Sequence, residues 1–251
     1  MKSDRPEGRR RFQFGLRDLL VAVVVVAVLL GLVMSWLNVA REAERRAACI
    51  KNLSMLSLAL GCYHDRWDAF PPDFVPDSRG RPMHSWRVLI VPDVPCNPAL
   101  PYRMAEPWNG PNNRKLSKLS DDFWWESHCP SDPSGEEMTS YLAVVGPETA
   151  WPGQKSSRLG DFRDGRASTI LLVEAADSGI HWMEPRDRQF KTFDFSINSR
   201  SGRGTSSYHG DGVNVLFADG SVRFLPESVA PETLRALLTI AGGERVDVKG
   251  F

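Results

Sequence analysis

The chain has 251 residues, of which 42% are hydrophobic, and it carries 31 basic and 31 acidic side chains, so its formal net charge is zero. A balanced charge gives no extended positive field, which argues against nucleic acid as a partner. The length is sufficient for one domain with its own hydrophobic core in addition to a membrane segment.

Residues 19–37 form an almost continuous apolar run, LLVAVVVVAVLLGLVMSWL, in which Ser35 is the only polar side chain. As a helix this run would be about 28 Å long, close to the ~30 Å hydrocarbon core of a bilayer. A cleaved signal peptide fits less well, because its apolar region is usually ~7 to 15 residues long and ends at a small-residue cleavage site. The run therefore predicts a retained transmembrane helix.

Basic side chains are concentrated just before the apolar run, at Lys2, Arg5, Arg9, Arg10, Arg11 and Arg17. By the positive-inside rule, residues 1–18 are a basic cytoplasmic N-terminus and everything after the run is exported. The expected location is the inner (cytoplasmic) membrane, crossed once, with the C-terminal domain in the periplasm or another extracytoplasmic space. Membrane lipid is the corresponding partner.

The helix is expected to continue beyond the membrane as a stalk, residues 38–65, that runs into the exported domain. This stretch contains no proline and spaces its apolar residues three or four apart, at Ile50, Leu53, Leu56, Leu60 and Tyr63. Phe70-Pro71-Pro72 ends the helix, because proline cannot continue it. Residues 66–251 then form the exported domain.

The exported domain shows β-rich runs at 139–145 and 168–175, and a shorter candidate strand at 86–91. Two alternating runs, 213–218 and 221–225, flank Asp219-Gly220 and predict a hairpin with a type I′ turn. A last helix is expected from Pro231 to about residue 240. The predicted fold class is α+β, with a long N-terminal transmembrane and amphipathic helix packed on a mostly antiparallel β-sheet, and with long loops.

The sequence contains four cysteines, Cys49, Cys62, Cys96 and Cys129, all in the part expected to face an oxidising compartment. Cys49 and Cys62 would lie about 19 Å apart on one helix and cannot bridge each other. Cys96 and Cys129 are a possible disulfide. A zinc site made by these two with His84 and His128 is less favoured, because the spacing is irregular.

No familiar catalytic motif occurs in the sequence: G-x-S-x-G, H-E-x-x-H, a phosphate-binding loop and C-x-x-C are all missing. We therefore expect a non-enzymatic protein without a cofactor. His209, Asp211 and Asp219 are weak metal-ligand candidates, but a turn explains Asp219 and a backbone hydrogen bond would explain His209. The tryptophans are expected mainly to fill the core, although they could stack on envelope sugars.

Several stretches, in order, resemble a large planctomycete family of prepilin-like proteins of unknown function. They are CIKNLSMLSLALGCYHD at 49–65, FPP at 70–72, EPWNGPNN at 106–113, CPSDP at 129–133, and His209 to Asp219-Gly220, which has the spacing of an H-x9-DG motif. The resemblance covers about residues 14–248. It implies a pilin-like fold, related to type IV pilins and to the pseudopilins of type II secretion, and other pilin-like subunits as possible partners through the N-terminal helix.

One position departs from the prepilin signal of that family. Phe14 would be the first mature residue and Asp18 the acidic fifth one, but Gln13 replaces the glycine that precedes the cleavage site. Two functions stay open. The chain is a pilin- or pseudopilin-like subunit of a type II secretion or type IV pilus-like assembly, as the resemblance implies, or it is a stand-alone anchored domain that binds an envelope ligand or a divalent metal without processing or polymerisation, as Gln13 favours.

Overall fold

The computed structural model of the protein describes residues 15–93, 100–118, 127–244, 246 and 250. The fold is α+β, as predicted, with one long N-terminal helix and mostly antiparallel β-structure joined by long loops. The helices are α1 (Leu16–Trp67), α2 (Trp86–Ile90) and α3 (Pro231–Leu237). The strands are β1 (Phe74–Pro76), β2 (Pro82–Ser85), β3 (Tyr141–Leu142), β4 (Val144–Val145), β5 (Ile170–Glu174), β6 (Arg188–Gln189), β7 (Gly212–Phe217) and β8 (Val222–Pro226). The chain divides into two compact units, residues 1–44 and 45–251.

The first unit contains the beginning of α1. The Asp18 carboxylate accepts a hydrogen bond from the backbone N–H of Gly15 (3.1 Å), which satisfies one free amide at the helix start. From residue 19 to residue 36 every side chain is exposed, although nearly all of them are apolar. Among the described residues, α1 is the one helix that is long and apolar enough to cross a membrane, and it is compatible with a single-pass anchor.

The second unit contains the end of α1, which buries one face against the domain. The buried residues are Cys49, Asn52, Leu53, Leu56, Ala59, Leu60 and His64. The predicted apolar face is confirmed at Leu53, Leu56 and Leu60, whereas Ile50 is 41% exposed. The buried face therefore overlaps the predicted one but includes Cys49 in place of Ile50, so that Cys49 faces the core.

The main sheet has the strand order β3-β5-β7-β8, and every pairing in it is antiparallel. Alternate residues of β7 belong to different clusters of the core. Leu216 packs in the cluster that contains Leu53 and Leu60 of α1. Val215 packs in the cluster that contains Leu234 of α3, so α1 and α3 cover opposite faces of the sheet.

The segment 86–91, predicted as a strand, is helical instead. Ser85 explains the difference, because its side chain accepts a hydrogen bond from the backbone N–H of Arg87 (3.2 Å) and caps α2. Trp86 and Ile90 lie one helical turn apart, and both are fully buried in the cluster next to α1. The run at 139–145 is present as two short strands, β3 and β4, and the run at 168–175 as β5.

The hairpin of β7 and β8 is confirmed, but its turn differs from the predicted type I′. Gly220 has a φ of +88°, whereas Asp219 is not among the residues with positive φ. Gly220 N donates to the Phe217 carbonyl (3.0 Å), and Phe217 N donates to the Ser221 carbonyl (2.9 Å). This is a three-residue loop that ends in a left-handed glycine. The Asp219 carboxylate accepts a hydrogen bond from Ser221 N (2.9 Å), which favours this turn.

A buried ion pair connects α2 to the loop before β6. Arg87 Nη2 and Asp187 Oδ1 are 2.6 Å apart, and neither side chain is more than 1% exposed. Asp187 also accepts hydrogen bonds from Trp86 Nε1 (3.1 Å) and from Ala143 N (2.7 Å). Burial and the neighbouring Asp187 raise the pKa of Asp73 to about 8, so Asp73 is mostly protonated at neutral pH.

We expect Gly220→Val to lower the free energy of unfolding by about 1 to 3 kcal/mol, because a β-branched residue is strained at positive φ. Gly220→Asn is the matched control, since asparagine tolerates this conformation and brings the same Cβ, 3.2 Å from Ser57 Oγ. Thermal unfolding of the two variants measures the difference. Equal melting temperatures would contradict the turn geometry.

We expect Asp73→Asn to flatten the fall in stability between pH 5 and pH 8. The folded protein keeps the Asp73 proton up to about pH 8, whereas the unfolded chain releases it near pH 4, so stability falls as pH rises through this window, by at most ~1.4 kcal/mol per pH unit. Melting temperatures across the window measure the slope. Asp77→Asn is the control, because the pKa of Asp77 is lowered and its titration lies below the window.

Candidate functional site

Four side chains with metal-binding or nucleophilic groups meet in the core of the second unit: Cys49, Cys129, Glu174 and His209. One ligand atom from each of them lies within 4.8 Å of the other three. We call this group of four the thiol-imidazole cluster. Its members come from α1, the turn-rich segment 127–134, the end of β5 and the loop that leads into β7. The cluster thus joins four segments that are far apart in sequence.

The four groups surround one ring nitrogen. His209 Nε2 lies 3.1 Å from Cys49 Sγ, 3.2 Å from Cys129 Sγ and 3.9 Å from Glu174 Oε1. A single imidazole nitrogen has one proton or one lone pair, so it can make only one good hydrogen bond. One hydrogen bond of this nitrogen therefore accounts for only one of its three contacts.

The cluster is closed to solvent. Cys49 is 0% exposed, Glu174 1%, Cys129 3% and His209 7%. The space beside it, lined in part by Cys129, Glu174 and Ser207, has no room for a water-sized molecule. A cysteine and an imidazole in contact can act as a nucleophile and its base, but that chemistry needs access for a substrate.

Only one of the two carboxylate oxygens of Glu174 accepts hydrogen bonds from Asn214. Its Oε2 accepts hydrogen bonds from the backbone N–H of Asn214 (2.8 Å) and from Asn214 Nδ2 (3.2 Å). Its Oε1 is buried, accepts no hydrogen bond of ordinary geometry among the described residues, and faces His209. Burial raises the pKa of Glu174 to about 7. A buried carboxylate oxygen without a donor is costly, and it marks the side on which a ligand could bind.

The two cysteines have different protonation. The hydrogen bond from Cys49, followed by those from His209 and the Ser131 backbone, lowers the pKa of Cys129 to about 5. The same hydrogen bond and burial raise the pKa of Cys49. The cluster therefore holds a thiolate and a thiol next to an imidazole, a set that can bind a thiophilic metal or form a disulfide on oxidation.

Hydrogen bonds from outside the cluster position the two cysteines. Tyr141 OH donates to the backbone carbonyl of Cys49 (3.4 Å), and Cys129 N donates to Ser140 Oγ (2.9 Å). Ser140 Oγ in turn donates to Asp132 Oδ2 (3.1 Å). Asn52 Nδ2, one turn after Cys49, donates to the carbonyl of His128 (2.9 Å) and so fastens the CPSDP segment to α1.

The three residues that the sequence suggested as metal ligands, His209, Asp211 and Asp219, do not form one site. The Asp219 carboxylate is used in the hairpin turn, where it also pairs with Arg223 (3.2 Å), and Asp211 lies at a φ of +54° in the loop before β7. Neither belongs to the cluster that contains His209. The His209 side chain was expected to hydrogen-bond the backbone. The ring nitrogen Nε2 lies against the two thiols, and the backbone N–H of His209 donates to Ser207 Oγ (3.2 Å).

Several other predicted site residues lie elsewhere or outside the described residues. Gln13, Phe14 and Cys96 are outside them, so the Cys96–Cys129 disulfide and the prepilin cleavage site stay predictions. His84 Nδ1 contacts Tyr102 OH (2.7 Å), and His128 Nε2 contacts the Asp132 carbonyl (2.8 Å). Neither histidine is part of the thiol-imidazole cluster.

A groove on the second unit has a volume of about 380 Å³ and is lined by Trp108, Arg114, Glu137, His181 and Glu184 among others. The half-buried Trp108 ring lies 5.2 Å from the His181 ring. Among the other tryptophans, Trp86, Trp151 and Trp182 are buried, as predicted, whereas Trp124 and Trp125 are outside the described residues.

Comparison with protein families identifies a match over most of the chain. A profile described as "Protein of unknown function (DUF1559)" matches residues 38–157 and 177–232. The matched ranges contain Cys49, Cys129 and His209, and Glu174 lies between them. No curated protein and no solved structure matches the chain. Because the profile covers well over half of its residues, the chain belongs to the DUF1559 family of proteins of unknown function.

Proposed function

We propose that the protein is a non-enzymatic, membrane-anchored domain of pilin-like build, which can serve as a subunit of a type II secretion or type IV pilus-like assembly. The observation that carries this proposal is the division of α1 into two parts. Its first part exposes apolar side chains all around, and its last part buries one face in the domain. An apolar helix that leads into a helix packed on an antiparallel sheet is the plan of pilins.

The first part of α1 supports membrane anchoring. Leu19, Val25 and Leu30 are each at least 50% exposed. A bilayer covers such side chains, and each central Leu or Val favours insertion by ~0.3 to 0.6 kcal/mol. The basic residues before the helix favour a cytoplasmic N-terminus and an extracytoplasmic domain, in the inner membrane.

A non-enzymatic role is supported by the closure of the thiol-imidazole cluster. The reactive side chains are at most 7% exposed, and the space beside them admits no water-sized molecule. A substrate would have to displace parts of the core to reach Cys129. The anchor, rather than a reaction centre, is therefore the feature on which we base the function.

A second candidate function is a stand-alone anchored binding domain that is neither processed nor polymerised. The contact of Asp18 with Gly15 favours it, since helix capping explains this carboxylate within one chain. The groove beside Trp108 also favours it, because an accessible aromatic ring flanked by Arg114 and Glu184 suits a polar envelope ligand such as a sugar.

The topology predicts which engineered cysteines react with a membrane-impermeant maleimide in intact cells. We expect the exposed Ser78→Cys to be labelled, and Ser3→Cys to be labelled only after permeabilisation. Both are made in a Cys62→Ser chain, and the label is compared with that of the same chain without the new cysteine. If Ser3→Cys were labelled in intact cells and Ser78→Cys were not, the orientation would be the opposite of the proposed one.

Intact-mass analysis of the protein from native membranes separates the two functions. A processed pilin-like subunit begins at Phe14, whereas an unprocessed anchored domain retains the preceding residues. Crosslinking through Ala43→Cys, an exposed position of α1, adds a second measurement. Crosslinked oligomers of a chain that starts at Phe14 support assembly. An uncut chain that forms no crosslinks supports the stand-alone domain.

A further inference from the structure

We propose that Cys49, Cys129, Glu174 and His209 bind one Zn²⁺ in a closed, tetrahedral, structural site. The sequence motifs pointed to no such site, and the family carries no assigned function. The inference goes beyond the proposed function and holds for either of the two candidates, because it concerns how the second unit is held together.

The donor set is one that zinc prefers. Two thiolates, one imidazole and one carboxylate provide four ligands of mixed N, S and O type, which suits a tetrahedral zinc site. Calcium and magnesium need six or more oxygen ligands, and the cluster offers one carboxylate. Sulfur ligands favour soft or borderline metals, and zinc is a borderline metal that undergoes no redox change.

The distances fit a tetrahedral metal. Zn–S bonds of ~2.3 Å and Zn–N or Zn–O bonds of ~2.0 to 2.2 Å place the ligand atoms roughly 3.3 to 3.8 Å apart. The distances from His209 Nε2 to the sulfurs of Cys49 and Cys129 are 3.1 and 3.2 Å, and the distance to Glu174 Oε1 is 3.9 Å. Side-chain shifts of less than about 1 Å would complete these three contacts.

The unpartnered oxygen of Glu174 is a second, independent observation. Oε1 is buried and accepts no hydrogen bond of ordinary geometry among the described residues, although the Ser207 hydroxyl interacts with this carboxylate, whereas Oε2 is fixed by two hydrogen bonds from Asn214. A metal beside Oε1 gives this oxygen its partner. The bonds from Asn214 to Oε2 then orient the ligand, as outer hydrogen bonds do in zinc sites.

A disulfide between Cys49 and Cys129 is the competing interpretation. It would use the two sulfurs but would leave Glu174 Oε1 buried without a donor, next to the histidine. It would also lower the mass of the chain by two hydrogens, which a zinc site does not. The two interpretations are therefore distinguishable on the same sample.

The zinc site would have a structural consequence. Cys49 belongs to α1, Glu174 to β5 of the main sheet, and Cys129 and His209 to two loops. One ion would thus join the helix, the sheet and both loops at one point. Since the unfolded chain has no preformed site, the free energy of binding adds to the stability of the folded domain.

The test uses the full-length protein purified in detergent without chelators. Elemental analysis is expected to find about one zinc per chain. Removal with a strong chelator is expected to lower the melting temperature by roughly 10 °C, the shift for a ligand present at ~1,000 times its Kd, and added zinc restores it. Less than about 0.2 zinc per chain, with a peptide map that joins Cys129 to Cys49 or to Cys96, would establish a disulfide at this thiol and overturn the proposal.

The variants Glu174→Gln and Cys129→Ser are expected to lose stoichiometric zinc, whereas Cys62→Ser, on the same helix but outside the cluster, keeps it. Zinc retained by both ligand variants would show adventitious binding and overturn the proposal. Cobalt loaded into the chelated wild-type chain covers the case in which the variants fail to fold. Tetrahedral cobalt with two thiolates gives strong visible bands and a sulfur charge-transfer band, and their absence would contradict the site.

Discussion

The burial of one face of α1 against the main sheet is the contact on which the rest of the second unit depends. Leu53 and Leu60 are at most 1% exposed and pack in one cluster with Leu172 of β5 and Leu216 of β7. Because a helix turns by about 100° per residue, burial of these positions also fixes where Cys49 points. The apolar packing of α1 thereby brings a thiol to the end of β5, beside Glu174.

The core contains a second buried carboxylate, that of Asp187, which differs from Glu174 in having donors on both of its oxygens. Arg87 and Asp187 form a buried pair, and Asp187 takes four hydrogen bonds, from Trp86, Ala143 and two guanidinium nitrogens. The charge is neutralised and both carboxylate oxygens of Asp187 have donors, although Arg87 Nε has no hydrogen-bond partner among the described residues. In the thiol-imidazole cluster, by contrast, Glu174 Oε1 has no donor among the described residues.

Local patterns predicted the elements that depend on local interactions. The apolar run and proline-free stretch indicated α1, the alternating residues around Asp219-Gly220 indicated the β7–β8 hairpin, and Pro231 indicated the start of α3. The strand predicted at 86–91 was wrong because a serine cap and the burial of both Trp86 and Ile90 outweighed β-propensity. The predicted turn type was wrong because the loop has three residues, and of Asp219 and Gly220 only the glycine has positive φ.

The thiol-imidazole cluster could not be predicted from the sequence, because its four members are far apart in the chain and form no motif of fixed spacing. His209 is 160 residues from Cys49 and 80 from Cys129, and Glu174 lies within a strand that reads as ordinary core. A glutamate at the end of a fully buried run was the one available signal. Burying a carboxylate costs several kcal/mol unless it is paired, and an apolar residue would fill the same space without that cost. A carboxylate that faces two thiols and an imidazole is therefore better explained by a ligand that needs it than by packing.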